Sequence, residues 1–211
     1  MFDFKDYITE SQKKSIEAIP QHLRWGGYKN VNCNLQLWQL FWKKVYQGSQ
    51  TDEILDYGSG AAWSNVVGRK LGYQNIRCLD INTPEATEQF NKWHDILDNK
   101  VTFWDGKSMS FEDNQFDAII AKASVTKLRN SDWPSFYREM TRVSKPKCRW
   151  FIAPDYMVDR MPNKKKWLKK KGITIFVWDW DRNHKFNNVY HPELNDKMPN
   201  ITVRSISKVS F

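Results

Sequence analysis

From residue 53 onward, short apolar runs alternate with longer amphipathic stretches, and no other feature of the sequence restricts its fold as much. The runs are EILDYG (53–58), NIRCLDI (75–81), KVTFWD (100–105), FDAIIAKA (116–123) and CRWFIAPD (148–155). Between them, AWSNVVGRKLG stops at Gly72, PEATEQFNKWHDIL has proline in a first turn, and SDWPSFYREMTRVS opens on a Ser/Asp cap, so each reads as a helix. This alternation predicts an α/β fold: a doubly wound, mostly parallel sheet with helices on both faces and right-handed crossovers. A Lys-rich helix over 162–171 then leads to ITIFVWDW, a polar stretch, and ITVRSISKVSF. Two strands without a helix between them predict a C-terminal antiparallel pair, which makes seven strands. Residues 1–50 read as an N-terminal helical arm or lid, with TESQKKSIEAI and NLQLWQLFWKKVYQ as helices around the loop LRWGGYKN, and residues 51–211 as the main domain.

A chain of 211 residues is long enough for one domain with a sizeable core. With 40% hydrophobic and 15% aromatic residues it falls outside the composition of disordered chains. No apolar run is long enough to cross a membrane, and the acidic opening MFDFKDYITE lacks the basic-then-apolar pattern of a signal peptide. The three cysteines, Cys33, Cys78 and Cys148, are scattered and odd in number. They form neither a disulfide framework nor a zinc-site spacing, so we expect no metal and a reducing, cytoplasmic compartment. The net charge of +9 is mostly local: RMPNKKKWLKKKG (160–172) holds seven basic residues and no acid, and elsewhere 26 basic residues face 24 acids.

The first strand ends in Asp56 and breaks at once into Gly58 and Gly60. In an open α/β sheet, ligands bind beyond the carboxyl ends of the strands, and glycines there let a ligand approach the backbone. A dinucleotide fingerprint requires glycine or alanine where this chain has Trp63, and a phosphate loop requires a G-K-[ST] that is missing. Asp80 ends the second strand, where a carboxylate accepts from a ribose diol. Asp105 ends the third, where it accepts from an adenine amino group. Acids at three successive strand ends suit a nucleoside-bearing ligand with a cationic group.

Taken in order, ILDYGSGAA, IRCLDINTPEA, FWDGKSMSFEDNQFDAII and FYREMTRVSKPKCRWFI resemble the motifs of class I S-adenosylmethionine-dependent methyltransferases, over about residues 53–155. The resemblance implies a Rossmann-like methyltransferase fold with S-adenosyl-L-methionine as cofactor. It implies that Asp56, Gly58, Ser59 and Gly60 line the methionine part. Asp80 would hold the ribose with Ile81 against the adenine, Asp105 and Gly106 would meet the adenine edge, and Lys122 would lie near the transferred methyl group. The chain departs from the family pattern at Ala62, the third glycine of the first motif, and at Lys145-Pro146-Lys147-Cys148, where the family often reads K-P-G-G. It has no N/D-P-P-Y/F and no Pro-Cys after the fourth strand, the signatures of two nucleic-acid-modifying groups.

The expected activity is methyl transfer to a small-molecule acceptor. The alternatives are an RNA or DNA methyltransferase that uses Lys164–Lys171, and a non-catalytic cofactor-binding module. Candidates for a general base are Lys122, Asp155, Tyr156, His184 and His191, the two histidines lying in the long polar insert before the last strand. Trp25 and Tyr28, beside the Gly26-Gly27 pair, are the expected acceptor-side residues. The lysine run reads first as a solvated helix face with Trp167 and Leu168 turned inward.

Overall fold

The computed structural model describes residues 3–19, 31–81, 84–125, 128–154, 156–182 and 201–209. Seven strands form one sheet: β1 (Ile54–Tyr57), β2 (Ile76–Ile81), β3 (Val101–Trp104), β4 (Phe116–Lys122), β5 (Ser144–Ala153), β6 (Thr174–Arg182) and β7 (Ile201–Val209). Their order is β3-β2-β1-β4-β5-β6-β7. The first six are parallel, and β7 runs antiparallel to β6 at the edge. The order reverses between β1 and β4, and that switch point is where doubly wound sheets open a crevice for ligands.

Period-two alternation assigns the two faces of the sheet. Ala118, Ile120, Phe151 and Ala153 pack into one apolar cluster, while Ile119, Ala121, Trp150 and Ile152 pack into the other. The first cluster is covered by residues of α1 (Glu10–Ala18), α2 (Val31–Leu40), α3 (Trp63–Lys70) and the end of α4 (Pro84–Leu97). The second is covered by α5 (Trp133–Val143), α6 (Tyr156–Asp159) and α7 (Lys164–Leu168). α5 buries Trp133, Phe136, Tyr137, Met140 and Val143, a spacing that keeps one helical stripe on the sheet. The described N-terminal helices therefore share the core of the strands that follow.

Local chemistry explains the ends of several elements. Thr9 caps α1 in a reciprocal box with Gln12, which satisfies two backbone donors. The second N-terminal helix starts earlier than expected and passes into one wide π turn over Phe41–Val45, which buries Phe41, Trp42 and Val45 together. β5 starts at Ser144 rather than near Cys148, because residues 145–148 bulge against β4 between the Phe116↔Ser144 and Ala118↔Arg149 pairs. Lys147 takes φ +64° in that bulge, the left-handed backbone that glycine adopts at no steric cost. The lysine helix is shorter than expected: α7 gives way to a 3₁₀ turn over Lys169–Lys171 and ends at Gly172. Leu168 is buried, but Trp167 remains half-buried, stacked on Tyr137 at a centroid distance of 5.7 Å. None of the three cysteines forms a disulfide, and burial pushes the Cys148 thiol up to about 12. No helix among the described residues is long and apolar enough to cross a membrane.

Candidate functional site

β1 delivers Asp56 to the switch point with its side chain fully enclosed. Only 1% of the residue is exposed, and its carboxylate accepts from the Ser64 hydroxyl in the first turn of α3. Burial pushes this carboxyl up to about 7; the Ser64 hydrogen bond and the Lys122 charge oppose the rise, and the nearby Asp80 charge adds to it. Removing an acid from water penalises its charged form, and no ion pair among the described residues compensates Asp56.

The turn after β1 is held from two sides. On one side, Gly58 and Ser59 donate their backbone N–H groups to the Leu79 carbonyl at 2.8 and 3.1 Å, and Gly60 donates to Asp80 Oδ2 at 2.6 Å. On the other, His94 Nε2 meets the Gly60 carbonyl at 2.9 Å, and Asn99 donates to the Ala61 and Ala62 carbonyls at 3.2 and 3.4 Å. Gly58, Gly60 and Ala62 all have positive φ, at 69°, 54° and 56°. At Gly58 a Cβ would overlap Ser124 Cβ, so the neighbour for which this glycine makes room is the loop after β4. Ala62 begins α3 in the left-handed region, and Trp63 behind it is buried against Trp93, edge to face at 5.9 Å. The indole at the third fingerprint position is thus absorbed by the core between α3 and α4.

Asp80 accepts two backbone donors, Gly60 on Oδ2 and Ile81 on Oδ1 at 2.7 Å. Burial nevertheless raises its carboxyl above the usual range, with these hydrogen bonds and His94 opposing the rise. Each carboxylate oxygen can accept more than one donor, so the tether to the turn leaves capacity for a diol. Beside it, Ile81 is 48% exposed, a bare apolar surface next to a fixed acid. Asp105 is exposed and folds back on its own loop, accepting from the Lys107 and Ser108 amides at 2.8 and 3.2 Å, which holds its carboxyl below the usual range. Gly106 has φ 81° and open space beside it. Lys122 ends β4 with its ammonium 6.0 Å from the Trp38 ring centroid.

The structure thus brings Asp56, Gly58, Ser59, Gly60, Asp80, Ile81 and Lys122 to the carboxyl ends of β1, β2 and β4, with Asp105 and Gly106 after β3. Trp25, Tyr28, Asp155, His184 and His191 lie outside the described residues, as does the Tyr156 side chain. His94, Asn99, Ser64 and Ser124 were not singled out by sequence reasoning. Their contacts to the turn or to Asp56 carry no local spacing signal. Among the described residues no cluster of His, Cys, Asp or Glu is arranged to hold a metal ion.

A sheet in this order, with acids and a glycine turn at its switch point, makes a doubly wound domain with a crevice at that point. Residues 54–147 match the family described as a methyltransferase domain. The match covers less than half of the chain and is a likeness to methyltransferase domains. No curated protein is significantly similar to the chain in sequence. Solved structures to which it is similar include a SAM-dependent methyltransferase from Aquifex aeolicus, with 16% identity and a TM-score of 0.43 over 85% of this chain and 74% of that one. Another is a protein assigned as an S-adenosyl-L-methionine-dependent methyltransferase from Methanococcus maripaludis, with 18% identity and a TM-score of 0.45 over 81% of this chain and 75% of that one. A third is a protein assigned as a sarcosine dimethylglycine methyltransferase from Galdieria sulphuraria, with 18% identity and a TM-score of 0.38 over 62% of this chain. The chain spans 40% of that last protein's length. At these scores the likenesses carry no argument about activity or substrate.

Proposed function

We propose that the chain transfers the methyl group of S-adenosylmethionine to a small-molecule acceptor, with residues 51–211 as the transfer domain and residues 1–50 as its arm. The observation that carries the reading is the pair of acids at the switch point, buried Asp56 and half-buried Asp80, without an ion-pair partner among the described residues, around a glycine turn inside the family match. The donor set suits the cofactor. Asp80 accepts the ribose hydroxyls, Ile81 covers one face of the adenine, and Asp105 with Gly106 meets its edge. Asp56, Gly58, Ser59 and Gly60 line the methionine part, and Lys122 closes the methyl end.

When bound, the cofactor supplies an electrophilic methyl group on a sulfonium. The work left to the chain is alignment, which by itself supplies much of the rate of a displacement. A rigid turn and an acid fixed by two backbone donors serve that purpose. An acceptor that holds its proton at neutral pH needs a base, and Lys122, Asp155, Tyr156 and His184 are the candidates. Trp25 and Tyr28 are assigned to the acceptor side.

Calorimetry with S-adenosylmethionine, its demethylated product and NAD tests the reading. We expect affinity in the ~µM range for the first two, about 8 kcal/mol, followed by label transfer from methyl-labelled cofactor to a member of a panel of small acids, amines and phenols. Tighter binding of NAD would overturn the class. Tight cofactor binding with no transfer to any acceptor, RNA included, would favour a non-catalytic module.

A further inference from the structure

The lysine run is not absorbed by the methyl-transfer reading, and the structure sets it beside a groove. Trp133 and Tyr137 of α5 and Trp167 of α7 form the aromatic wall of a cavity of about 330 Å³, with Pro134 and Pro162 completing its apolar lining and Asn130 and Asn163 at its polar positions. That volume lies within the range of small-ligand pockets. The groove lies on the sheet face that α5 and α7 cover, whereas Ala61 and Ala62 of the glycine turn belong to the core of the opposite face.

Three observations give the groove a chemistry. First, Tyr137 is 1% exposed, and its hydroxyl, although buried, has no hydrogen-bond partner among the described residues. Burial raises that phenol well above its ordinary range. A buried hydroxyl left unmet is costly, and Tyr137 lines the cavity. Second, Trp167 lies flat on Tyr137 at an interplanar angle of 13° while remaining half-exposed, so a planar platform borders the groove. Third, the charge is one-sided. Residues 160–178 contain no acid. Lys171 is committed to the fold, donating to Asn114 Oδ1 and to the Arg142 and Ser144 carbonyls. No ion pair of the described residues involves Lys164, Lys165, Lys166, Lys169 or Lys170.

We propose that this groove is a second binding site, for a nucleotide, whose base seats against the Trp167 platform and proline walls and whose phosphate meets the uncommitted lysines. Asn130 and Asn163 offer amide donors and acceptors to the base edge. Stacking supplies sequence-tolerant affinity, and the lysines make it salt-dependent. The same chemistry arises from a free nucleotide or from one unit of a single strand. The site stands whether or not methyl transfer does.

The test measures uridine monophosphate by calorimetry and a labelled oligouridylate of about twelve nucleotides by fluorescence anisotropy, both with S-adenosylmethionine in excess. A pyrimidine avoids confusion with the adenosine pocket. We expect both to bind, and Trp167→Ala to weaken them about 10-fold, the scale of a lost stacking partner. Asn163→Asp should weaken both by repelling phosphate while keeping a residue type tolerated at its φ of 53°, so it guards against misfolding of the Trp167 variant. Replacing Lys165, Lys169 and Lys170 by Gln should flatten the log–log salt slope of the oligomer by roughly 2–3. Asp80→Ala should leave both affinities unchanged. An oligomer tighter by about 10-fold or more than the monomer assigns the site to a strand, and equal affinities assign it to a free nucleotide. Absence of binding overturns the proposal. So does binding that survives both Trp167→Ala and Asn163→Asp and is lost only with the lysines, which would reduce it to a charged surface.

Discussion

At the amino edge of the sheet Asp52 meets Arg149 at 2.6 Å and Asp117 meets Lys145 at 2.7 Å, and further along α5 Glu139 meets Arg142 at 2.8 Å. At the carboxyl edge Asp56 and Asp80 are held instead by a serine hydroxyl and by backbone N–H groups. The consequences run in opposite directions. Arg142 holds the Glu139 carboxyl below its usual range, whereas burial drives Asp56 and Asp80 above theirs. Acids of the first kind fasten loops to the sheet: Asp52 collects Tyr46, Ser49 and Arg149, and Asp117 binds the Glu53 amide. Acids of the second kind oppose their own ionisation inside the folded protein, an arrangement that suits a ligand bringing positive charge and hydroxyl donors.

The largest expected effect concerns Asp56. Its folded value of about 7 lies above the ordinary 3.8, so the native state holds a proton that the unfolded chain has released. The stability that this group contributes is then full below about pH 4, falls as pH rises toward 7 and levels off beyond it, by on the order of 4 kcal/mol. Denaturant titrations across that range should show the stability difference between the unmodified protein and Asp56→Asn shrinking by this amount as pH rises, since the other titrating groups are common to both. A difference that does not change with pH would break the contrast. An intermediate effect is expected from Asp80→Ala, which should weaken S-adenosylmethionine by ~1–3 kcal/mol, while Asp117→Ala should lower stability and leave calorimetric affinity unchanged. Equal losses of affinity in the two variants would show that the edges do not differ in function. The smallest effect tests the amino-edge bulge. Lys147 is exposed at φ +64°, so Lys147→Gly should raise stability by about 1 kcal/mol, seen as a higher melting temperature, with no change in binding.

The βα alternation was legible because apolar periodicity and helix stops are local signals, and the strand-end acids because strand ends can be located from them. The same reading found the missing glycines at Lys147 and Cys148 but not the left-handed backbone at Lys147, since a positive φ is visible only in the folded chain. What escaped was carried by distance along the sequence. His94 reaches Gly60 across 34 residues and Asn99 reaches Ala61 across 38. The groove escaped too: it needs α5 and α7 side by side, and the lysines alone read as a solvated face. The π turn over Phe41–Val45 departs from the simple helical period that the sequence suggested.

The clamp on the glycine turn has a thermodynamic consequence. The carbonyls of Gly60, Ala61 and Ala62 are each occupied by His94 or Asn99, so these peptide units cannot rotate to face the other way. Their conformational freedom is surrendered when the chain folds rather than when a ligand arrives. A ligand that meets an already ordered backbone is spared that ordering cost. On this view His94 and Asn99 influence capture without touching the captured molecule: they remove an entropy penalty that a freely rotating turn would impose on every binding event.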